Sequence, residues 1–266
     1  MVLFVVSASL LVKWRFDHDM QRAHVHAAVG SVLLATRCGP IEYQETGTGV
    51  PLLVVHGSGG GHDQGMAWAG QLASHGIRVI AIRHPDRVSA LVLMVPLAYK
   101  LPTQANSAPP MPAWVEAMMM RLIGSDFLFW AALHVARDQV IKVVLATPPE
   151  LLVHASAQER ERVDAMLDNI LPVSLRADGL RSDTQVGKHL SPSPLASVRI
   201  PTLVISARDD RYGTYASAQY TAERIAGAKF IGFDTGGHTW VGHDDEVRAA
   251  IVDLLLPTVQ FPAHHD

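Results

Sequence analysis

Apolar and polar positions follow two periods along this chain, and the switches between them mark out strands and helices. Residues 52–55 form a continuous aliphatic run with the character of a strand buried on both faces, as in a parallel sheet, and 77–82, 90–95 and 202–206 read as further strands. Residues 31–37 and 41–45 read as two strands around the turn signal Cys38-Gly39-Pro40, and 229–233 as another. Elsewhere the period is helical. Met66, Ala69, Leu72 and Ala73 recur at helical spacing within 63–75, and Gly76 ends that segment. A helix at 215–226 is closed by Gly227. In 245–256, Val247, Ala250, Ile251, Leu254 and Leu255 form one apolar stripe. Strand, helix, strand in this order predicts parallel strands joined by a right-handed crossover.

The pattern changes in the middle of the chain. Pro96, Pro102, Pro109, Pro110 and Pro112 mark 96–112 as a linker. Residues 113–170 are helical in character, with Trp114, Met118 to Met120, Phe127 to Trp130 and Val140 to Leu145. A loop is expected over 176–199, with Pro192 and Pro194, before the sheet resumes. A helical insertion between two strands reads as a cap over a site. Its Met and aromatic stripe reads as cap core, although flexible Met also suits substrate contact. The expected division is a lead-in at 1–29, an α/β core at 30–96 and 196–258, and a helical cap at 97–195.

At the N-terminus, Val2 to Val12 is an almost unbroken apolar run followed by Lys13, Trp14 and Arg15. It is shorter than the roughly 17 to 25 residues of a membrane span, and it lacks the basic start of a secretory signal. A clipped anchor, a helix packed on the domain and an interfacial segment all fit. As an anchor, the trailing cations keep the rest of the chain on the cytoplasmic side. A cytoplasmic protein with membrane association through 1–15 is the expectation.

Composition narrows the chemistry. With 266 residues, 48% hydrophobic and 18% charged, the chain suits one sizeable globular α/β domain. A net charge of −3 leaves no electrostatic footprint for nucleic acid. One cysteine, Cys38, excludes an internal disulfide and a cysteine metal cluster. The fourteen histidines are scattered, and no three-ligand metal site is expected. No cofactor is expected either.

Three local blocks carry candidate chemistry. His56-Gly57-Ser58-Gly59-Gly60-Gly61 follows a buried strand, and glycine backbone there lets N–H groups approach a developing oxyanion. Asp209-Asp210 follows the strand at 202–206, where a carboxylate can orient an imidazole. Gly236-Gly237-His238 precedes Thr239-Trp240 and places a candidate general base in a loop. His243 competes with His238 and reads as the solvated tail of that loop.

From about residue 30 to 256 these blocks resemble the α/β-hydrolase superfamily. Arg83-His84-Pro85-Asp86-Arg87-Val88, with the strand after it, resembles that family's segment just beyond the nucleophile's helix. The resemblance implies a three-layer α/β fold with a mostly parallel sheet and a helical cap. It implies His238 as the base, Asp210 as its acid with Asp209 as rival, and Gly57, Ser58 and Gly59 as the oxyanion hole. Ser58 then contributes its N–H rather than its hydroxyl. The substrate class it implies is a small carboxylic ester.

One part is missing. The family's nucleophile sits in a Gly-x-Ser-x-Gly elbow between strand and helix. Here 80–82 runs straight into Arg83-His84-Pro85, and no such elbow, nor a Cys or Asp equivalent, occurs anywhere in the chain. Ser58 has His56 rather than Gly two residues before it, and Ser125 follows Gly124 inside the helical insertion. The nucleophile is therefore unassigned, and the central strand of the sheet is expected to be absent with it. An impaired hydrolase and a non-catalytic binding relic both fit this pattern. A third reading takes 52–84 as a dinucleotide unit with Arg83 meeting the 2′-phosphate of NADP, but His62 stands where the third glycine of that motif belongs.

Overall fold

The computed structural model describes residues 2–36, 39–55, 57, 60–81, 89–97, 114, 121, 124–188 and 194–256. Seven strands are present among them: β1 (Val32–Thr36), β2 (Gly39–Thr46), β3 (Val50–Val54), β4 (Ile77–Ala81), β5 (Leu91–Met94), β6 (Thr202–Ala207) and β7 (Lys229–Phe233). They form two sheets. One has the order β1-β2-β4-β3 and the other β5-β6-β7. β3 and β4 pair in parallel, as do β5 with β6 and β6 with β7, whereas β1 and β2 pair antiparallel, as do β2 and β4.

β6 shows why the aliphatic runs are strands. All six of its residues are buried, and successive side chains alternate across the sheet. Leu203, Ile205 and Ala207 join Val247, Ile251 and Leu255 of helix α9 (Asp244–Leu255) in the main core. Val204 packs on the opposite face against Ala218 and Ala222 of helix α8 (Thr214–Arg224). Helix α2 (His62–Ala69) and the 3-10 turn Gly70–His75 add Ala69 and Leu72 to the main core. That core also collects Leu52 and Val54 from β3 and Val92 and Met94 from β5. One apolar layer thus joins the two sheets, although no strand among the described residues pairs between β3 and β5. Both of these edge strands are only half-buried over most of their length.

Between β5 and β6 lie α3 (Asp126–Val135), α4 (Arg137–Val144), α5 (Leu151–His154), α6 (Ala157–Asp168) and α7 (Ala177–Lys188). Phe129, Trp130, Leu133, Val140 and Ile141 make a second core there, so that part of the stripe is packing, whereas Trp114, Phe127 and Leu128 are exposed. Met118 to Met120 lie outside the described residues. Ser125 is the N-cap of α3, its hydroxyl accepting from Leu128 N, a role that accounts for it without chemistry. Helix α7 corrects the loop expected over 176–199. Gly179, Gly187 and the prolines beyond them hide the helical signal, which Leu180 N on Arg176 O and Asp178 in the first turn support.

The N-terminal run belongs to one long helix, α1 (Val2–Ala28). Its second half packs Phe16, Met20 and Ala23 on the α3 core, and its first half is exposed. Among the described residues no helix is long and apolar enough to cross a membrane.

Candidate active site

β6 and β7 are neighbouring parallel strands in which Ala207 faces Phe233 in register, so their C-terminal ends open onto the same edge. Asp209 and Asp210 leave the first and Gly236-Gly237-His238 the second. His238 Nδ1 donates to Asp210 Oδ2 at 3.1 Å, which leaves Nε2 as the atom available to take a proton. Asp210 is 4% exposed, and its second oxygen accepts from Tyr212 N at 2.9 Å while Thr214 Oγ1 donates to Oδ2. Burial alone pushes this carboxyl up. The bonds and charge from His238, with those from Thr214 and Tyr212, outweigh that and hold it below the usual aspartate range.

Asp209 does different work. Its two oxygens accept from Gly236 N at 3.2 Å and Gly237 N at 2.8 Å, so it ties down the loop that presents His238. Gly237 has φ +63, and a Cβ there would lie 2.7 Å from the Thr147 backbone. That double requirement explains the glycine. Because Thr147 belongs to the helical insertion, the loop and the insertion are in close contact.

Further contacts lock the loop. Arg162 of α6, almost wholly buried, donates through Nη2 to Thr239 O at 2.8 Å and pairs with Asp244 at 3.2 Å. Burial pulls its guanidinium pKa down, with Asp244 and Glu159 opposing. Glu159 accepts from Gly242 N at 2.6 Å. His238 itself is walled by the Tyr212 ring, edge-on at 4.9 Å, and by Trp68 at 6.3 Å. Its side chain keeps 21% exposure, so the loop position is half-buried rather than open. His243, expected as a solvated tail, instead stacks on Phe233 at 3.9 Å.

The glycine loop is described in part. Ser58 and Gly59 lie outside the described residues, as do His56 and the Arg83–Val88 block with its candidate 2′-phosphate partner. Gly57 is exposed at the end of β3. Gly60 and Gly61 have φ +78 and +111 and lead into α2. Arg176 Nη1 donates to Gly60 O at 2.8 Å, and Nη2 reaches both Asp63 and Asn169 O. An arginine from beyond α6 therefore braces this loop from behind. Sequence reasoning missed Arg162 and Arg176, because a buried arginine far along the chain carries no local pattern. Among the described residues no three His, Cys, Asp or Glu side chains converge to hold a metal. None supplies a hydrogen-bond partner to His238 Nε2 either.

No protein-family model matches the sequence, and no curated protein matches it. Solved structures do. An alpha/beta hydrolase fold protein from Nakamurella multipartita superposes with a TM-score of 0.65 at 21% identity, over 85% of this chain and 98% of its own. An alpha/beta hydrolase from Sphaerobacter thermophilus gives 0.46 at 17% identity, over 84% and 99%. A thermophilic esterase from Thermogutta terrifontis gives 0.46 at 16% identity, over 86% and 98%. The strand arrangement, the adjacent ends of β6 and β7 and the first of these superpositions agree: the chain has the α/β-hydrolase fold.

Proposed function

We propose that this protein is a hydrolase of small carboxylic esters, impaired because its sequence holds no Gly-x-Ser-x-Gly nucleophile elbow. The observation that supports it is the Asp210–His238 pair at the adjacent ends of β6 and β7. Asp210 holds the Nδ1–H tautomer and stabilises the imidazolium that forms. Nε2 then takes a proton from water as its oxygen attacks the ester carbonyl. The donors expected from the sequence for the developing oxyanion are the N–H groups of Gly57, Ser58 and Gly59. Collapse breaks the ester C–O bond, and His238 returns the proton to the departing alkoxide. Helices α3 to α7 act as a cap, and their contacts through Thr147, Glu159 and Arg162 place the His238 loop. Neither a cofactor nor nucleic acid enters this reading. Turnover of 4-nitrophenyl acetate that His238→Ala removes is the test; turnover unchanged in that variant defeats the proposal.

The second reading is a binding relic without catalysis. Among the described residues no strand pairs with the free edges of β3 and β5, and this favours it, since a sheet without a central strand lacks the support on which an elbow would sit. Saturable binding of an ester analogue by a wild type that shows no turnover selects it.

A further inference from the structure

Helix α1 has two halves of different character. From Phe16 onward it is fastened to the body. Phe16 meets Phe127 and Trp130 edge-on at 5.3 and 5.6 Å, Asp19 accepts from Trp130 Nε1 at 2.9 Å, and His26 bonds Asn169 at 2.8 Å. Before Phe16 the apolar side chains are in solvent: Phe4 is 78% exposed and Leu10 and Leu11 64% each.

These side chains do not form a stripe. At 3.6 residues per turn, Val6 lies about 200° round the helix from Phe4, and Leu10 about 120° the other way. Leu11 lies about 20° from Phe4, Val12 and Val5 fill the arc between Phe4 and Val6, and only Ser7 and Ser9 interrupt. A second copy would bury one seam. Apolar side chains on every side call for a solvent that surrounds the helix. The charges agree. Passing outward from the body, Asp19 and Asp17 come first, and the last charges before the tip are Arg15 and Lys13, both well exposed. Trp14, 64% exposed, lies between them. Cations and an indole at one level, just where the apolar segment begins, match a phosphate headgroup layer.

We propose that the apolar segment 4–12 of α1 inserts into a lipid bilayer, with Lys13, Trp14 and Arg15 at the headgroups and the remainder of α1 fixing the body to the surface. This is independent of the ester chemistry, which turnover in lipid-free detergent reports separately. The experiment is flotation of the full chain with vesicles of phosphatidylcholine, with and without phosphatidylserine. The wild type floats with both and more tightly with the anionic one. The variant Phe4→Glu/Val6→Glu/Leu10→Glu loses about tenfold or more in partition, with unchanged thermal unfolding because these side chains face solvent. The Trp14 emission, taken as the difference from Trp14→Phe, is quenched by a spin label at the headgroup and less by one deep in the acyl chain. Failure to float, flotation that the triple variant keeps, deeper quenching than headgroup quenching, or a lipid-free dimer that buries 4–14 overturns the proposal.

Discussion

Asp209 and Asp210 are consecutive residues whose carboxylates serve the same loop from two directions, one binding the backbone of Gly236 and Gly237 and the other the imidazole of His238. The division arises in the turn that follows β6, where Asp210 N bonds Ala207 O at 3.3 Å. It gives separable outcomes. Asp209→Ala leaves two buried N–H groups unpaired and lowers stability by about 1–3 kcal/mol, read from urea unfolding. Asp210→Asn keeps those anchors, and its first effect is loss of the downfield proton resonance of the hydrogen-bonded His238 Nδ1–H.

The strands, the outer helices and the aspartate–histidine contact could be read in the sequence because each depends on local pattern. β6 is aliphatic from Leu203 to Ile205 and covered on both faces, and two glycines before His238 mark a backbone that must bend tightly. What could not be read depends on distant residues. Helix α7 is poor in helix formers and draws support from its surroundings. The braces Arg162 and Arg176 reach their partners across 77 and 116 positions of chain. The stacking of His243 on Phe233 requires β7 and the loop to be placed first. The expected oxyanion residues are reached only at Gly57 among the described residues.

Acid should weaken the protein partly through Asp210. Its folded pKa is held below the unfolded value of about 3.9. The sign follows: stability from this group is complete above the unfolded pKa and is lost as pH falls through the folded one. Urea midpoints of wild type and Asp210→Asn should therefore differ by a constant amount above about pH 5 and converge as the pH is lowered below the ordinary aspartate range. A difference that grows on acidification contradicts the assignment.

Gly61 is set by two demands at once. Its φ is +111, and a Cβ would lie 1.8 Å from Arg176 Nη1 and 2.4 Å from Asp63 Oδ1, in a braced ion pair. Gly61→Ala should cost about 1–3 kcal/mol from backbone conformation alone, read from thermal unfolding. Arg176→Ala is destabilising by itself, because it strips the buried Asp63 of its partner, so the clash is read from a double-mutant cycle: Gly61→Ala should cost less in an Arg176→Ala background than in the wild type. An equal cost in the two backgrounds would place the whole cost on φ.

The deciding prediction concerns the gap between β3 and β5. A paired imidazole and a glycine loop without a positioned hydroxyl lose the covalent route, although removal of a triad member can leave about 10³ to 10⁴-fold catalysis over water. Purified protein should hydrolyse activated esters slowly or undetectably, and its intact mass should stay unchanged after fluorophosphonate treatment. A full one-adduct shift on any serine would reveal a nucleophile and remove the premise. The two half-buried edges suit an added strand, since among the described residues each belongs to a parallel pair with that edge free and both draw on one core. An inserted strand, Gly-x-Ser-x-Gly turn and helix between Ala81 and Ile82 should pair with both edges and bring a serine to the C-terminal end of the sheet, where His238 waits. That chimera should take one fluorophosphonate on the new serine and gain ester turnover that His238→Ala abolishes. If it folds with its strand paired and the serine stays unlabelled, the Asp210–His238 pair is not an acid–base site awaiting a nucleophile, and the binding reading stands in its place.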